Sequence, residues 1–491
     1  MAKKFLYFQP EYIGKFKCDG SKCDARCCKG WTITIDAATY KKYSKLKPKS
    51  IAKEITSRMK FDSECGVYII TLAETKEDFL WQKNFSTSNP NTSADLNAVG
   101  GGGVCSNNCC DRPWNIDIDD AAYKKYSKLK PKDTAKEITS HIEYDESMKS
   151  YMLKGRPCPF LTEDSLCGIQ LNYGEEFLSQ TCVTYPRRTH AVGKFFERSL
   201  TLTCPVAAEL ILFNQEPMKF EFVEVPEKIH SKHGRIRIKK IPVNEKNAEI
   251  LRETQITMIS ILQERRLSLD ARLIVLGFFL DKLQEIISDD TGIEMVLDLI
   301  AAYRSEKFLL NEMLPLLQGF NFDANKFITF IMKFISYTSE HLQTKEGWKF
   351  LCAFTDAFRI KPDENHQVSL SEIAANYNRL AEARKKFLAD YSTFLENYIV
   401  NEIFYSLYPW RFLDKSITKN FAIFLISYKI FEMITFATVQ GGLNSKEDLL
   451  QMVDWFMNRS DHSPKLYEKF FKLLEGVDDT YLLMDILLDR D

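Results

Sequence analysis

The sequence predicts an α+β protein that is predominantly α: a small cysteine-rich metal-binding N-terminal region with short strands, followed by a large helical domain. Three observations predict it. Twelve of the 13 cysteines lie before residue 205. Apolar residues before about residue 245 alternate in short runs, the period of half-buried strands. Beyond it they recur at helical spacing, as Leu276, Phe279, Leu280, Leu283 and Ile287 do at i, i+3, i+4, i+7 and i+11.

The chain is expected to divide at 1–57, 58–103, 104–215, 216–247 and 248–491. The decapeptide YKKYSKLKPK occurs twice, at 40–49 and 123–132, 83 positions apart. The resemblance runs outward from it. Trp31 matches Trp114, Asp36 matches Asp119, and Cys23, Cys27 and Cys28 match Cys105, Cys109 and Cys110 at an offset one residue shorter. Cys18 has no counterpart, because Gly100 stands in its place. Each copy is thus a cysteine cluster, then a strand (WTITID or WNIDID), then a helix capped by Asp36 or Asp119; Pro48 ends the first helix. The similarity stops after FDSE in the first copy and YDES in the second. Residues 58–103 diverge, and their Ser/Thr/Asn/Gly-rich half, 85–103, reads as flexible linker. A recent tandem duplication with a decayed first unit explains this, and so does a truncated first unit joined to a nearly complete second. Only one strand of the pair is expected to fill its slot in the sheet. The second copy is preferred, since it runs into Cys158 through a short, ordered-looking stretch.

Further along, CPFLTEDSLCGIQ reads as a hairpin whose turn, at 162–165, brings Cys158 and Cys167 together. KFFERSLTLTCP reads as a strand leading to Cys204, and KFEFVEV as another, followed by a polar link at 226–234. RIKPDENHQVSLSE is a polar loop between helices. The last helix is expected to start at Ser463–Pro464 and stop at Gly476.

With 491 residues, 45% of them apolar, the chain can bury a large core. Its 66 basic and 67 acidic side chains leave a net charge of −1, which argues against nucleic acid or a membrane surface as partner. The first residues carry lysines but no apolar run like that of a secretion signal. FAIFLISYKIFEMITFATV contains Lys429 and Glu432 and reads as a buried helix rather than a membrane span. The expected compartment is the cytosol, where disulfides are rare. Crowded thiolates there repel unless a soft cation neutralises them, so zinc or an iron–sulfur cluster is expected. The candidate ligands are Cys18, Cys23, Cys27, Cys28, Cys105, Cys109, Cys110, Cys158, Cys167, Cys182 and Cys204. The paired Cys-x2-Cys knuckles of a zinc finger are missing, adjacent cysteines fit one zinc poorly, and histidines number seven. The set leans toward iron–sulfur, with zinc the alternative.

FKCDGSKCDARCCKGWTITIDAATYKKY, CPFLTEDSLCGIQ, GEEFLSQTCVTYPRR, ERSLTLTCPVAAELIL and, in the helical half, LENYIVNEIFYSLYPW together resemble the bacterial flagellin lysine-N-methylases. The resemblance covers most of the chain except roughly residues 58–103. It implies methyl transfer from S-adenosylmethionine to flagellin lysines, and a cysteine-held cluster of the [4Fe–4S] type. The duplicated first motif departs from the family pattern.

Such chemistry needs a lysine stripped of its proton before it attacks a sulfonium methyl. Tyr185, His190 and Glu197 are the candidate bases near the cysteines. Arg187 and Arg188 are candidates to hold the donor's carboxylate. No Gly-x-Gly-x-x-Gly follows a strand, so an ordinary dinucleotide-type methyltransferase fold is not visible, and neither is a Cys-x3-Cys-x2-Cys radical motif. The helical half is expected to recognise the protein substrate. The alternative function is a non-enzymatic iron- or zinc-chelating module carrying a helical protein-binding domain. Nothing in the sequence sets the oligomeric state.

Overall fold

Short alternating runs fold the N-terminal part into two sheets, and helical spacing folds the remainder into a bundle. The computed structural model describes residues 4–16, 35–36, 60–62, 66–69, 117–118, 125–126, 129, 132–146, 150–153, 167, 177, 182, 184–193, 195–226, 239–240, 245–288, 293–342, 347–360, 368–412, 414–460, 464–477 and 479–489. Two units emerge. One comprises Met1–Ala191, Phe195–Ala207 and Glu221–Lys240; the other comprises Val192–Lys194, Ala208–Phe220 and Ile241–Asp491.

The first unit opens with β1 (Lys4–Pro10) and a single turn, α1 (Tyr12–Lys15). Its larger sheet is built by the repeat: β2 (Ile35–Asp36), β3 (Lys60–Asp62), β4 (Gly66–Ile69), β5 (Asp117–Ile118), then helix α2 (Lys132–Ser140), β6 (Ile142–Glu146) and β7 (Ser150–Leu153). The strand order is β2-β5-β7-β6-β4-β3, with a further pairing of β2 to β7. Here one expectation is corrected. Both copies place a strand in this sheet: Ile35 pairs with Ile118, and each also pairs with Tyr151. The unpaired main-chain groups of a strand edge accept a second, equivalent strand.

The repeat also continues past the point where its sequences part. Phe61 pairs with Tyr68 in the hairpin β3–β4, and Tyr144 with Tyr151 in β6–β7, each position shifted by the same 83 residues. Main-chain pairing preserves a hairpin whose side chains have diverged. The hairpins join where Val67 pairs with Asp145. The linker 85–103, the expected helix cap Asp119 and the hairpin turn 162–165 lie outside the described residues, and Asp36 is described only as the end of β2.

The second sheet uses β1 with β8 (Arg187–Val192), β9 (Phe195–Leu200), β10 (Phe220–Pro226) and β11 (Lys239–Lys240), in the order β10-β1-β9-β8-β11. As expected, β9 lies within KFFERSLTLTCP, and β10 covers all of KFEFVEV but its lysine, ending one residue later at Pro226. After Cys204, α3 (Pro205–Leu212) begins on a proline, whose missing N–H costs nothing at the first helical position.

The helical unit comprises α4 (Glu245–Leu262), α5 (Leu269–Ser288) and α6 (Ile293–Tyr303). A helical stretch follows at 306–317 that includes the π-turn Leu309–Met313. Then come α7 (Ala324–Leu342), α8 (Trp348–Ala357), α9 (Leu370–Arg379), α10 (Ala381–Ser406), α11 (Ile417–Gln440), α12 (Lys446–Ser460), α13 (Pro464–Leu473) and α14 (Thr480–Leu487). On α5, Leu276, Phe279, Leu280 and Leu283 are fully buried as their spacing predicts. Ile287 is instead exposed, because Ile286 takes the inward place at the helix end. Each such buried side chain contributes about 1.5–3 kcal/mol. Gly277 on α5 lets α14 come close: a Cβ there would fall 2.0 Å from the Met484 sulfur. Helix α11 is long and apolar enough to cross a membrane, but 89% of its apolar window is buried by the protein itself. Gly476 follows α13 at φ +81°, the conformation glycine takes readily. It does not end the last helix, however. Asp479 caps α14, its carboxylate accepting the Leu482 N–H at 3.1 Å.

Candidate functional site

Most of the predicted site residues that the structure describes lie on or beside the hairpin β8–β9. Its two strands are six residues each, joined by a two-residue turn in which Gly193 has φ +57°. The Thr201 N–H donates to the Pro186 carbonyl at 2.9 Å, which sets those residues opposite each other. Counting from there toward the turn puts Arg188 opposite Ser199, Thr189 opposite Arg198 and His190 opposite Glu197. Directly opposed residues share a face.

One face therefore carries His190 and Glu197, 3% and 2% exposed. Phe8 pairs with Glu197 from β1, and Lys239 with His190 from β11. Phe222 closes an aromatic group on this side, its ring 4.8 Å from Phe8 and 5.7 Å from Phe195. The other face carries Arg198, whose guanidinium lies 4.1 Å above the Tyr7 ring. Tyr7 in turn stacks on Phe196 at 5.2 Å. Burial raises the pKa of the Tyr7 hydroxyl, with the Arg198 charge pulling the other way; burial lowers that of Arg198. Arg187 and Arg188, as strand neighbours, point to opposite faces, so a ligand on one face meets only one of them. The Arg187 guanidinium lies 5.1 Å over Phe16.

Tyr185 precedes Pro186 through a cis peptide bond, and its hydroxyl lies 3.2 Å from Thr203 Oγ1. Thr203 Oγ1 is also 3.0 Å from Thr201 Oγ1. The Tyr185–Thr203 bond ties the segment of Cys182 to that of Cys204. Cys204 is buried, and Cys167 and Cys182 are half-buried; all three are thiols. Their softness suits iron–sulfur or zinc. Among the described residues, however, no three potential ligands converge on one point. Cys18, Cys23, Cys27, Cys28, Cys105, Cys109, Cys110 and Cys158 lie outside the described residues.

Sequence reasoning missed Arg198, Tyr7, Gln9 and Thr189. One signal was available: in FFERSL, period 2 seats Arg198 between Phe196 and Leu200, on an otherwise apolar face.

The helical unit buries charges too. Glu396 is 1% exposed and accepts from Arg265 Nε at 3.1 Å, Arg265 Nη2 at 2.8 Å and Arg272 Nη1 at 2.7 Å. Lys429 Nζ lies 2.9 Å from both Asp270 Oδ2 and Glu432 Oε2, and the Asp489 N–H donates to Asp270 at 2.8 Å. Burial and the nearby Glu432 charge push Asp270 up to about 6 against the pull of Lys429. Burial disfavours the Lys429 charge, but Asp270 and Glu432 together raise its pKa. A cavity of about 20 Å³ is lined by Tyr398, Glu402, Tyr408, Arg411 and Tyr467, with room for one or two waters. Arg411 sits in its wall, 4.4 Å over the Tyr467 ring and donating to Ser406 Oγ at 3.1 Å.

No solved structure matches this chain. A family profile described as the FliB lysine N-methylase C-terminal domain matches residues 255–484. The lysine-N-methylase of Salmonella typhimurium is 25% identical over 216 residues, 44% of this chain and 35% of that protein. That of Salmonella choleraesuis is 34% identical over 125 residues, 24% of this chain and 30% of that protein. The chain therefore aligns with only about a third of these two relatives. The flagellar biosynthetic protein FliU of Salmonella muenchen is 30% identical over 216 residues, 44% of this chain but 82% of FliU. With FliU covered nearly end to end and the helical half matched by the profile, the chain belongs to the FliB lysine N-methylase family.

Proposed function

We propose that the protein methylates lysine side chains of flagellin in the cytosol, with S-adenosylmethionine as methyl donor and His190 and Glu197 as the proton-accepting pair. The observation that carries this reading is the pairing of a buried imidazole with a buried carboxylate across β8–β9, in a chain of the lysine N-methylase family.

In this scheme Glu197 orients and stabilises the imidazole of His190, which takes a proton from the lysine ammonium. The amine lone pair then attacks the methyl carbon of the donor's sulfonium. A C–N bond forms, the C–S bond breaks, and the electron pair of that bond stays on sulfur as a neutral thioether. The product is a methylated ammonium, and the imidazolium returns its proton to water. The helical unit recognises the protein substrate. A cysteine-held iron–sulfur cluster would draw its ligands chiefly from the cysteines outside the described residues, since Cys167, Cys182 and Cys204 do not converge on one point, and would supply one-electron chemistry or a structural tie when bound. The transfer written here uses neither.

The test is methylation of purified flagellin followed by mass spectrometry. Glu197→Gln and His190→Gln should each lower turnover by about 10²–10⁴-fold with flagellin binding retained. Wild-type turnover in both variants would remove the pair from the chemistry. A wild-type protein that adds no methyl group would end the methyltransferase reading.

A further inference from the structure

The sheet face that carries His190 and Glu197 also carries an aromatic row leading to them. Glu197 is in register with Phe8 on β1, and the Phe8 ring meets that of Phe222 on β10 at 4.8 Å. Strand β10 stands at one end of its sheet, so the row Phe222, Phe8, Glu197, His190 runs from the rim inward. Exposure falls steeply along it, from 48% at Phe222 to 4% at Phe8, 2% at Glu197 and 3% at His190. Strands lie about 4.8 Å apart, so two strand spacings separate Phe222 from the carboxylate.

Phe222 stands out in this place. Among the described residues of the first unit, no other large apolar side chain is so exposed. Proteins tend to place charge on a sheet edge, because an apolar edge invites pairing. Nor is its ring isolated: Phe195, on the face of Glu197, lies 5.7 Å from it. Glu224, two residues beyond Phe222 and so on the same face, is exposed as well and adds a carboxylate. Rings beside a carboxylate suit a ligand that is apolar along its length and cationic at its tip. A lysine side chain is such a ligand, with a four-carbon stem to lie on the rings and an ammonium drawn to a ring face within about 6 Å. A neutral apolar chain would leave Glu224 unused, and a compact cation would leave the rings uncovered.

Resting on the methyltransferase reading above, we propose that Phe222, with Phe8 and Phe195, receives the side chain of the target lysine and directs its ammonium along the row to Glu197 and His190. Glu224 draws the ammonium to the rim. The Phe222 ring packs on Phe8, and exposed side chains change rotamer rapidly, so turning that ring aside uncovers the approach to the pair. Phe222 takes no part in the proton transfer. Its loss weakens capture of the lysine and leaves the chemical step.

Steady-state methylation of purified flagellin by the full chain tests it. Phe222→Ala should raise KM for flagellin about 5- to 20-fold and leave kcat within about twofold, the pattern of lost substrate binding. Phe222→Tyr keeps the ring and should stay within about twofold of the wild type in both. Glu224→Lys reverses a charge at an exposed site that the fold tolerates. It should raise KM about 3- to 10-fold, and added salt should shrink that rise. A purely structural Phe222 would instead lower kcat and the melting temperature of Phe222→Ala with KM unchanged, and the proposal falls. It falls too if Phe222→Tyr is as impaired as Phe222→Ala. If Phe222→Ala and Glu224→Lys both keep the wild-type KM, the lysine arrives elsewhere and the proposal falls, while the methyltransferase reading stands. If Phe222→Ala fails to fold, the KM of Glu224→Lys decides by the same criterion. If the wild type adds no methyl group, the methyltransferase reading falls and takes the proposal with it.

Discussion

Arg272 in the helical unit and Arg198 in the five-stranded sheet are almost equally hidden, 5% and 7% exposed. Burial lowers the pKa of both. Their surroundings differ in kind. Arg272 meets the Glu396 carboxylate at 2.7 Å and the main-chain carbonyls of Leu262 and Leu267, each at 2.9 Å. Arg198 meets no carboxylate: Tyr7 supplies its ring and a side-chain hydrogen bond, and Nε and Nη2 have no partner. Burial of a charge is therefore not in itself a mark of function. A buried charge whose partners come from the fold belongs to the architecture, and one whose edge the fold leaves unmet lacks that stabilisation.

The comparison is broken most forcefully by removing the cation of a satisfied group. Lys429→Met would leave Asp270 and Glu432, both buried, facing each other without their shared ammonium. Stranding a buried partner costs about 3–5 kcal/mol, and with two carboxylates affected the loss should sit at the upper end. Urea unfolding at neutral pH measures it. A loss under about 1 kcal/mol, like that of a surface pair, would show that these charges are not satisfied architecture.

A smaller effect is expected at Glu396. Glu396→Ala strands Arg272, but Arg265 is 35% exposed at its side chain and can turn to water. Arg272 also keeps its two carbonyl partners. The cost should lie near about 3 kcal/mol, the lower end of the range for a broken buried pair. The same unfolding titration decides it. A variant as stable as the wild type would place Arg272 in the same class as Arg198.

How much of this was legible in the sequence follows from how local each signal is. The face of α5 was readable because Leu276, Phe279, Leu280 and Leu283 repeat within three turns of one helix. Strand β9 was readable from its alternation. Its register was not: His190 and Glu197 were picked separately, and only the tight turn at Gly193 and the Pro186–Thr201 bond make them opposite. Gln9 reaches Arg198 through a parallel pairing of β1 with β9 across nearly the whole first unit, which no local pattern encodes. The identical decapeptides revealed the duplication, while the equivalence of the hairpins β3–β4 and β6–β7 stayed hidden, since main-chain pairing does not need matching side chains. Lys429 was read as a reason against a membrane span. Its partner Asp270, 159 residues earlier, is what makes that lysine tolerable in a core helix.

The smallest predicted effect sharpens the comparison through pH. Asp270 is pushed up to about 6 by burial and by the Glu432 charge, while an unfolded aspartate titrates near about 3.9. Between those values the folded protein holds a proton that the unfolded chain has released. Stability then falls as pH rises from about 4 to about 6, and Asp270 contributes no further slope above that window. The full shift corresponds to at most about 3 kcal/mol, and the shared Lys429 charge couples Asp270 to Glu432, so about 1–2 kcal/mol is expected across the window. Asp270→Asn cannot titrate. Its unfolding free energy, measured at pH 4, 5, 6 and 7 beside the wild type, should lack this part of the slope. Parallel curves for the two proteins would mean that Asp270 keeps an ordinary pKa. The Lys429 pair would then be satisfied so fully that burial leaves no trace, and the contrast with Arg198 would be greater still.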